Sequence, residues 1–469
     1  MEVVKEGVPV VARPQEARVR YWLLALLTVV PWAILRAGAL AESDTFWEIR
    51  TGLLTITQRA IPTTDPFSWT VHGEPWTLNS WGFNVVIAFA YRIFGLPGAA
   101  LFGAGLAVVI AGLVLILARS LGAEPLGSAI VLLLALPFLT AFLSARPQLV
   151  DYLGTLLIVM VLRSLVKGGR RKPPLVAAAG MIGLAWVNLH AGALLGVAIA
   201  GLCTALVLIP RETRSVGRWC AAVTAAVFAG ALVNPVGVGL FAQTARVKSA
   251  SLGVVVEWGH LDLTSPLQVT MLIAGLVALA IALRRRDPVF VAALVVATAG
   301  AVTALRILPV LVLLSIPVLA SAGPFTRYAR SRWHILLVGV VCLVGVIAVV
   351  AAPSLRHLGR PDPATYPRGV VQAISRGCHV YNDYLQGGYI LLERPDVAVS
   401  LDSRNDIYGG ARIAQSQRVL RGEGEVDSAL TGAGCVLARA GSGLATRLAR
   451  EPAWTLRSSS ATQVLFVRR

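Results

Sequence analysis

Long apolar runs repeat along most of this 469-residue chain, and each is about as long as a helix that crosses a lipid bilayer. A crossing helix needs about 20 mostly apolar residues. The composition agrees, since 56% of the residues are hydrophobic and only 14% are charged, whereas soluble domains carry roughly 25% charged residues. The sequence therefore predicts an α-helical polytopic membrane protein with about eleven transmembrane helices. The predicted spans lie near residues 21–40, 98–118, 125–144, 148–166, 174–189, 191–209, 219–242, 266–283, 288–303, 305–323 and 333–353.

Short basic clusters between these runs predict the orientation of the chain. Two of them are the cluster at 167–172 and the triplet Arg284-Arg285-Arg286. Cytoplasmic loops are enriched in Lys and Arg, so residues 1–20 are predicted to be cytoplasmic and the C-terminal end to lie outside the plasma membrane. The net charge of +18 comes in bursts and is not gathered on one surface, which argues against a nucleic-acid partner.

Residues 41–97 are predicted to form the first external loop of the membrane domain, which extends over 21–353. The stretch 79–95 looks like a further crossing, but it is short, rich in aromatic residues and contains Asn84 and Arg92. We expect it to lie as a helix in the outer membrane interface. The segment 45–59 could be a second interfacial helix.

The composition becomes polar from residue 354, and the segment 354–469 is predicted to be a small extracytoplasmic α/β domain. Short β-rich runs alternate there with polar segments of helical pattern. Two of the five cysteines, Cys378 and Cys435, fall in this domain. In an oxidising compartment they could form a disulfide, but small core residues are an equally good explanation.

Polar residues collect in the turns that this topology places outside. The external loop holds Asp44 and Asp65, and later turns hold Arg146, His190, Glu257 and His260, while Arg306 begins the tenth span. Charges near membrane depth each cost roughly 2.5 to 3.5 kcal/mol on insertion scales, so their grouping on one side indicates a shared polar cavity. Taken singly, some have simpler explanations. Asp44 could cap a helix that starts at Phe46, Arg146 could anchor a helix end at the interface, and His190 could be a satisfied helix-end residue.

The motifs around these residues resemble a large family of bacterial multi-pass proteins related to GT-C glycosyltransferases. They are Asp44-Thr-Phe-Trp-Glu-Ile-Arg-Thr-Gly, Ile61-Pro-Thr-Thr-Asp-Pro-Phe-Ser-Trp-Thr, Ala145-Arg-Pro-Gln, Trp186-Val-Asn-Leu-His-Ala-Gly, Asn234-Pro-Val-Gly, Glu257-Trp, Val380-Tyr-Asn-Asp-Tyr-Leu-Gln-Gly-Gly-Tyr and Leu401-Asp-Ser-Arg-Asn-Asp-Ile-Tyr-Gly. The resemblance covers nearly the whole chain. Many members have His where this chain has Glu48, so a role for that position is not carried over.

The resemblance implies transfer of a sugar from a polyprenyl-phosphate donor to a glycan, lipid or protein acceptor on the external face. An essential acidic residue of the first external loop corresponds to Asp44, which we expect to be the general base of an inverting displacement. Arg146 and Arg306 are predicted to bind the donor phosphate, with a hydrogen bond from His190. Asp65, Glu257 and His260 are candidates for sugar or acceptor recognition. A divalent metal, Mg²⁺ or Mn²⁺, is possible in such enzymes, but the sequence assigns no ligands and favours a metal-free site.

The polar turns of the C-terminal domain have two interpretations. The domain could bind acceptor glycan through Asn382, Asp383, Asp402, Arg404 and Asp406, or it could dock on the external loop and position Asp44. Such polar and glycine clusters are also ordinary strand-end turns.

Two other classes of function remain open on the sequence. A polar cavity within a helix bundle also describes a membrane carrier, and a scaffold for envelope polysaccharide assembly could keep the fold without catalysis. The polar residues are confined to one side of the membrane, which argues against the carrier.

Overall fold

The computed structural model describes residues 14–37, 40, 42–168, 171–251, 256–323, 339–340 and 358–469. The last predicted span, 333–353, lies almost wholly outside these residues, as does most of the predicted cytoplasmic segment 1–20. The helices of the first part of the chain are α1 Pro14–Leu27, α2 Val30–Ala37, α3 Ser43–Gln58, α4 Trp81–Ser120, α5 Pro125–Leu139, α6 Gln148–Val166, α7 Lys172–Leu189, α8 Ala193–Leu208, α9 Arg214–Leu232, α10 Gly239–Ser251, α11 Pro266–Arg284, α12 Pro288–Thr303 and α13 Leu308–Ala322.

The predicted spans that fall within the described residues are helical over most of their length. Six helices there are long and apolar enough to cross a membrane, and three shorter apolar helices accompany them. The chain is therefore a multi-pass membrane protein, while the number of crossings stays a prediction. One predicted boundary is wrong, because the span at 219–242 ends with α9 at Leu232. Pro235 has no backbone N–H for a helix, and Asn234 Oδ1 instead accepts a hydrogen bond from Val236 N at 2.9 Å in a turn.

The two segments predicted to be interfacial are both helical. Residues 43–58 form α3, and 81–94 form the first part of α4, which kinks at Gly95 with φ of 65°. Only glycine adopts that backbone region without cost. α3 and α4 cross closely at Gly52, where an added Cβ would lie 1.9 Å from Asn84 O. This crossing fixes α3 against the membrane helices.

The C-terminal part forms a five-stranded sheet of mixed direction with short helices around it. The strands are β1 His379–Tyr381, β2 Ala398–Val399, β3 Cys435–Arg439, β4 Trp454–Ser459 and β5 Gln463–Arg468. Their order is β2-β1-β3-β5-β4, with β2, β1 and β3 parallel and the β3-β5-β4 pairs antiparallel. The helices are α14 Arg368–Gln372, α15 Gly387–Glu393, α16 Asn405–Leu420, α17 Val426–Ala429 and α18 Gly443–Leu448.

Cys378 and Cys435 form a disulfide with a Cα–Cα distance of 6.1 Å. The sequence left open whether these cysteines form a disulfide or are separate small core residues, and the structure contains the disulfide. Cys378 directly precedes β1 and Cys435 begins β3, so the bond joins two neighbouring strands at the centre of the sheet.

The external loop and the C-terminal sheet are joined by backbone hydrogen bonds. Val399 N donates to Phe67 O at 3.3 Å, and Trp69 N donates to Val399 O at 3.0 Å, so the loop lies along the edge strand β2. On the other side of this contact α15 packs on α3. A Cβ on Gly388 of α15 would lie 2.5 Å from Ser43 O, so the two helices are in direct backbone contact. The C-terminal part thus holds the helix that carries Asp44.

Candidate functional site

A cavity of about 110 Å³ lies where the external loop, three membrane-helix ends and the C-terminal domain meet. Its polar lining is Asp44, Trp47, Glu48, Trp76, Asn79, Ser80, Arg146, Gln148, His190, Trp258, Arg306, Ser403, Arg404, Asn405 and Asp406. These residues come from segments up to 362 positions apart. The structure therefore brings together the four residues for which the sequence predicts catalysis or phosphate binding: Asp44, Arg146, His190 and Arg306.

Arg146 lies at the centre of three carboxylates. Its Nη2 is 2.7 Å from Asp44 Oδ2, and its Nη1 is 2.9 Å from Glu257 Oε1 and 3.9 Å from Glu42 Oε2. Burial alone would lower the pKa of Arg146, but Asp44, Glu257 and Glu42 more than offset it and hold that pKa above its usual range. The guanidinium is charged and locally compensated, so it serves first to hold the three acidic groups in place.

Asp44 belongs to the first turn of α3 and does not cap it. The helix begins at Ser43, and its N-cap residue Glu42 makes no side-chain capping bond. Asp44 Oδ1 accepts a hydrogen bond from Trp47 Nε1 at 3.3 Å, and Oδ2 faces Arg146. The capping explanation is thus wrong, because α3 starts one turn earlier than the capping pattern implies and the carboxylate is drawn to a cation from another turn.

Asp151 of α6 fixes the ring of His190. Asp151 Oδ1 and Oδ2 both lie 2.8 Å from His190 Nδ1, and Oδ1 also accepts a hydrogen bond from Trp186 Nε1 at 2.8 Å. An Nδ1–H donated to a carboxylate leaves Nε2 as the ring nitrogen available to the cavity. The approach needs Gly192, where an added Cβ would lie 2.0 Å from Asp151 Oδ1. The sequence analysis missed Asp151, although its place one turn after Arg146-Pro-Gln was a signal for it.

Arg306 differs from Arg146 in making no direct ion pair within the described part of the chain, although the Asp151 carboxylate lies within range of its charge. It lines the cavity with its guanidinium carbon 4.2 Å from the centroid of the Trp258 ring. Among the described residues nothing forms an ion pair or hydrogen bond with its side chain. A cation on an aromatic face keeps its donors directed outward. Arg306 is therefore the cavity cation best placed to receive an anionic ligand.

Two further carboxyl groups line the cavity. Glu48 is buried and its Oε2 has no hydrogen-bond partner. Burial raises the pKa of Glu48 well above its usual range, and the charge of Asp44 raises it further. Burial likewise raises the pKa of Asp406 to about 6, although it is close to Arg404 and accepts a hydrogen bond from Trp76. A carboxyl group in its neutral form can donate a hydrogen bond to a ligand.

Arg404 joins the C-terminal domain to the external loop through a buried charge cluster. Its Nε and Nη2 donate to Asp402 Oδ1 and Oδ2 at 2.8 and 2.7 Å, and its Nη1 lies 2.8 Å from Asp65 Oδ1. Its guanidinium carbon is 4.6 Å from the Trp76 ring centroid. Asp65 also accepts hydrogen bonds from Phe67 N and Ser68 N. Arg404 therefore lines the cavity, but its charge is paired with Asp65 and Asp402, and these contacts order the loop around Asp65.

The remaining predicted binding residues lie away from the cavity lining. Asn382 donates to Leu401 O at 2.8 Å and accepts from Ser400 N at 3.0 Å, and Asp383 accepts from Leu385 N at 2.9 Å, all within strand-end turns. His260 is exposed and has Nδ1 3.4 Å from Val302 O. Ligand contacts by these residues, and by Asp65, Asp402 and Glu257, stay predictions.

The arrangement of carboxylates does not fit a divalent metal. Three of the acidic groups that would offer ligands are directed at the Arg146 guanidinium, which takes the position that a cation would need. The described residues contain no group of three or more His, Cys, Asp or Glu side chains arranged to hold a metal ion. No step below depends on the Mg²⁺ or Mn²⁺ that the sequence left possible.

By sequence, no family model and no curated protein matches the chain. By structure, it is similar to ArnT from Cupriavidus metallidurans bound to undecaprenyl phosphate, with a TM-score of 0.60 and 14% identity over 97% of this chain and 98% of that one. The apo state of that protein matches with a TM-score of 0.58 and 14% identity over 96% and 98% of the two chains. The apo oligosaccharyltransferase of Archaeoglobus fulgidus matches with a TM-score of 0.60 and 13% identity over 91% of this chain and 70% of that one.

The chain has the GT-C fold. The matches to ArnT extend over nearly all of both chains, so the GT-C likeness includes the membrane helices together with the C-terminal domain. At these identities the likeness establishes architecture alone, and the chemistry of this protein has to be argued from its own cavity.

Proposed function

We propose that this protein is a membrane glycosyltransferase that moves a sugar from a polyprenyl-phosphate donor to a cell-envelope glycan, lipid or protein acceptor on the external face. The observation that carries the proposal is the presence, in one cavity of a GT-C fold, of an oriented carboxylate and an arginine that makes no direct ion pair among the described residues. Asp44 is held by Arg146 at 2.7 Å, and Arg306 lines the same cavity. The undecaprenyl phosphate in the ArnT crystal structure supports a polyprenyl-phosphate donor.

Asp44 acts as general base in this proposal. It takes the proton of the acceptor hydroxyl while the acceptor oxygen attacks the anomeric carbon of the sugar. The bond between that carbon and the phosphate oxygen breaks, and polyprenyl phosphate leaves with the bonding electrons. Attack from the side opposite the leaving group inverts the anomeric centre. Arg146 holds the Asp44 carboxylate in place at 2.7 Å and directs it into the cavity.

Arg306 receives the leaving phosphate. Its planar guanidinium suits phosphate oxygens, and its charge is free to stabilise the negative charge that develops as the bond breaks. His190 adds a hydrogen bond from Nε2, with Asp151 keeping the ring in orientation. The N-terminus of α6, next to Arg146, adds the positive end of its helix dipole.

The position of the cavity suits a lipid-linked donor. Gln148 begins α6, His190 follows the end of α7, and Arg306 precedes α13, so the lining residues lie at the ends of membrane helices. A donor with its polyprenyl chain in the bilayer would bring its phosphate to this depth. We place this end of the helices, and with it the C-terminal domain, on the external side of the plasma membrane, since the basic clusters lie at the opposite ends.

The test is sugar transfer from a panel of synthetic polyprenyl-phosphate sugars by the purified protein in lipid nanodiscs, with envelope extract as acceptor. We expect one donor to be consumed by the wild type. Asp44→Asn should lose about 10² to 10⁴-fold in rate, the range for a general base, and Arg306→Ala about 10²-fold or more, as for loss of a group that stabilises transition-state charge. Arg146→Ala should also inactivate, because Asp44 loses its partner.

The exposed change Asp427→Asn is the matched control and should leave transfer unchanged. Adding a chelator should also leave transfer unchanged, because Arg146 takes the place of a metal among the carboxylates. Movement of sugar across sealed vesicles without transfer would instead identify a carrier. Envelope assembly that tolerates changes of both Asp44 and Arg146 would identify a scaffold.

A further inference from the structure

A second cavity, of about 340 Å³, lies between the external loop and the C-terminal domain. Its lining includes Arg50, Phe67, Trp69, His72, His379 and Pro395. None of the residues assigned to the transfer reaction is among them. The cavity is bounded by the backbone contact between residues 67–69 and β2, so its walls come from the two parts of the chain that hold α3 in place.

Arg50 brings an uncompensated charge to this cavity. It lies two residues after Glu48 on α3, which turns its side chain away from the reaction cavity and toward the second one. Its Nε is buried and has no hydrogen-bond partner. Within the described part of the chain no acidic residue forms an ion pair with Arg50. Its guanidinium makes a cation–π contact with the Phe67 ring, whose centroid is 5.8 Å from the guanidinium carbon.

An unpaired, half-buried cation is costly, and burial lowers the pKa of Arg50. Burying a hydrogen-bond donor without a partner is unfavourable, and more so for a charged group. A ligand with an anionic group would satisfy these donors. Arg404 contacts the same Phe67 ring, with its guanidinium carbon 5.1 Å from the ring centroid. Unlike Arg50, it forms ion pairs with Asp402 and Asp65.

Two stacked aromatic rings form part of the lining. The rings of Trp69 and His379 are parallel, with centroids 5.7 Å apart and planes 2° apart. Trp69 Nε1 donates to Val380 O at 3.1 Å, and His379 Nδ1 lies 3.3 Å from Gly432 O, so neither ring is free to turn. A rigid aromatic wall beside polar donors is a surface on which the apolar face of a sugar ring can pack.

We propose that this cavity binds an acidic saccharide, with its carboxylate or phosphate on Arg50 and its ring against the wall formed by Phe67, Trp69 and His379. Cavity size agrees, since about 340 Å³ falls within the roughly 300 to 1,000 Å³ of small-molecule sites. In taking the saccharide to be part of the acceptor, the proposal rests on the proposed function. The binding itself does not, because Asp44 and Arg306 take no part in it.

The experiment is titration calorimetry on the full chain in nanodiscs with three probes: cellobiouronic acid, the neutral disaccharide cellobiose, and inorganic phosphate. We expect saturable binding of cellobiouronic acid and much weaker binding of cellobiose. Arg50→Gln should weaken binding of the acidic probe about tenfold or more, as expected for loss of a charge-assisted hydrogen bond, and Arg50→Lys should keep part of it. Glucose 1-phosphate in place of the uronic acid distinguishes a phosphate from a carboxylate as the preferred anion.

Arg59→Gln is the matched control, because Arg59 is an exposed cation that directly follows α3 and does not line this cavity. It should leave binding within about twofold of the wild type, a change of less than about 0.5 kcal/mol. Equal melting temperatures of the variants establish that each is folded. Asp44→Asn should bind cellobiouronic acid as the wild type does, so failure of sugar transfer and failure of this site are told apart.

The proposal is overturned if cellobiouronic acid binds no more tightly than cellobiose, or if Arg50→Gln binds as the wild type does. Equal losses in Arg50→Gln and Arg59→Gln would mean a diffuse charge effect and would also overturn it. Inorganic phosphate that binds as tightly as the acidic disaccharide would overturn the saccharide part, because the ring would then contribute nothing.

Discussion

Arg146 and Arg306 face one cavity, yet their surroundings give them different tasks. Arg146 has three carboxylates within 4.0 Å, so its charge is compensated before any ligand arrives. Arg306 has an aromatic ring as its neighbour, and that contact does not neutralise it. The sequence predicts phosphate binding by both residues, whereas the contacts favour Arg306 for the phosphate and Arg146 for holding Asp44.

Asp406 provides a prediction about pH. Burial raises its pKa to about 6, compared with an unfolded value near 3.9, so the folded state binds more protons than the unfolded state between these values. The free energy of unfolding therefore falls as the pH rises from about 4 to 6 and stays lower above that range. Asp406→Asn removes this loss and keeps an acceptor for Trp76. Its melting temperature relative to wild type should be higher at pH 7 than at pH 4.5.

This comparison is made by thermal unfolding of both proteins in the same nanodiscs at each pH. The control is Asp362→Asn, a change at an exposed residue of the same domain. Its melting-temperature difference from wild type should be the same at both pH values. A difference between Asp406→Asn and wild type that does not change with pH would contradict the assigned pKa.

At the scale of elements, the contact between α3 and α15 positions the proposed base. Ser43 O and Trp47 N approach Gly388 so closely that an added Cβ would lie 2.5 and 3.2 Å from them. Gly388→Ala should push α3 away from the C-terminal domain and displace Asp44, which follows Ser43 directly. Because a misplacement of 1 Å can cost about 10²-fold in rate, we expect a large loss of transfer together with a lower melting temperature.

The matched control for this change is Gly369→Ala. Gly369 lies in α14, and an added Cβ there has no neighbour within 4 Å, so both transfer and stability should stay close to wild type. Wild-type activity of Gly388→Ala would mean that α3 does not depend on the C-terminal domain for its position.

At the scale of the whole molecule, the disulfide provides a test of the compartment in which the C-terminal domain lies. Cys378 and Cys435 are 57 residues apart in sequence and join β1 to β3. A bond closing a loop of that length stabilises a domain on the order of 2 to 5 kcal/mol, and such bonds persist in oxidising compartments outside the cytoplasm. We expect the pair to be oxidised in cells, and the double change to Ser to lower the melting temperature.

Alkylation of intact cells before and after reduction measures this state, with the buried free thiols Cys203 and Cys220 as internal reference. A C-terminal epitope tag should be accessible from outside in the same cells. A reduced pair together with a tag reached only after lysis would contradict the external placement.

Much of the architecture could be predicted from the sequence, because bilayer thickness acts on each segment separately. A run of about 20 apolar residues has one stable arrangement in lipid whatever the rest of the chain does. For the same reason the isolated polar residues Asp44, Arg146, His190 and Arg306 could be predicted to share a cavity, since each is too costly near lipid to stand alone.

Tertiary structure alone decided which charges are paired and which are free. Glu257 with Arg146, Asp65 with Arg404 and Asp151 with His190 are partners from segments far apart in sequence. Such pairing depends on distances of a few ångströms that no local pattern encodes. The same holds for the disulfide, which the sequence left as one of two explanations, and for the close approach of Gly388 to α3. Sequence determined that polar groups must meet at one end of the helix bundle. Packing determined that, among the residues the structure describes, Arg146 is ion-paired whereas Arg306 and Arg50 make no direct ion pair.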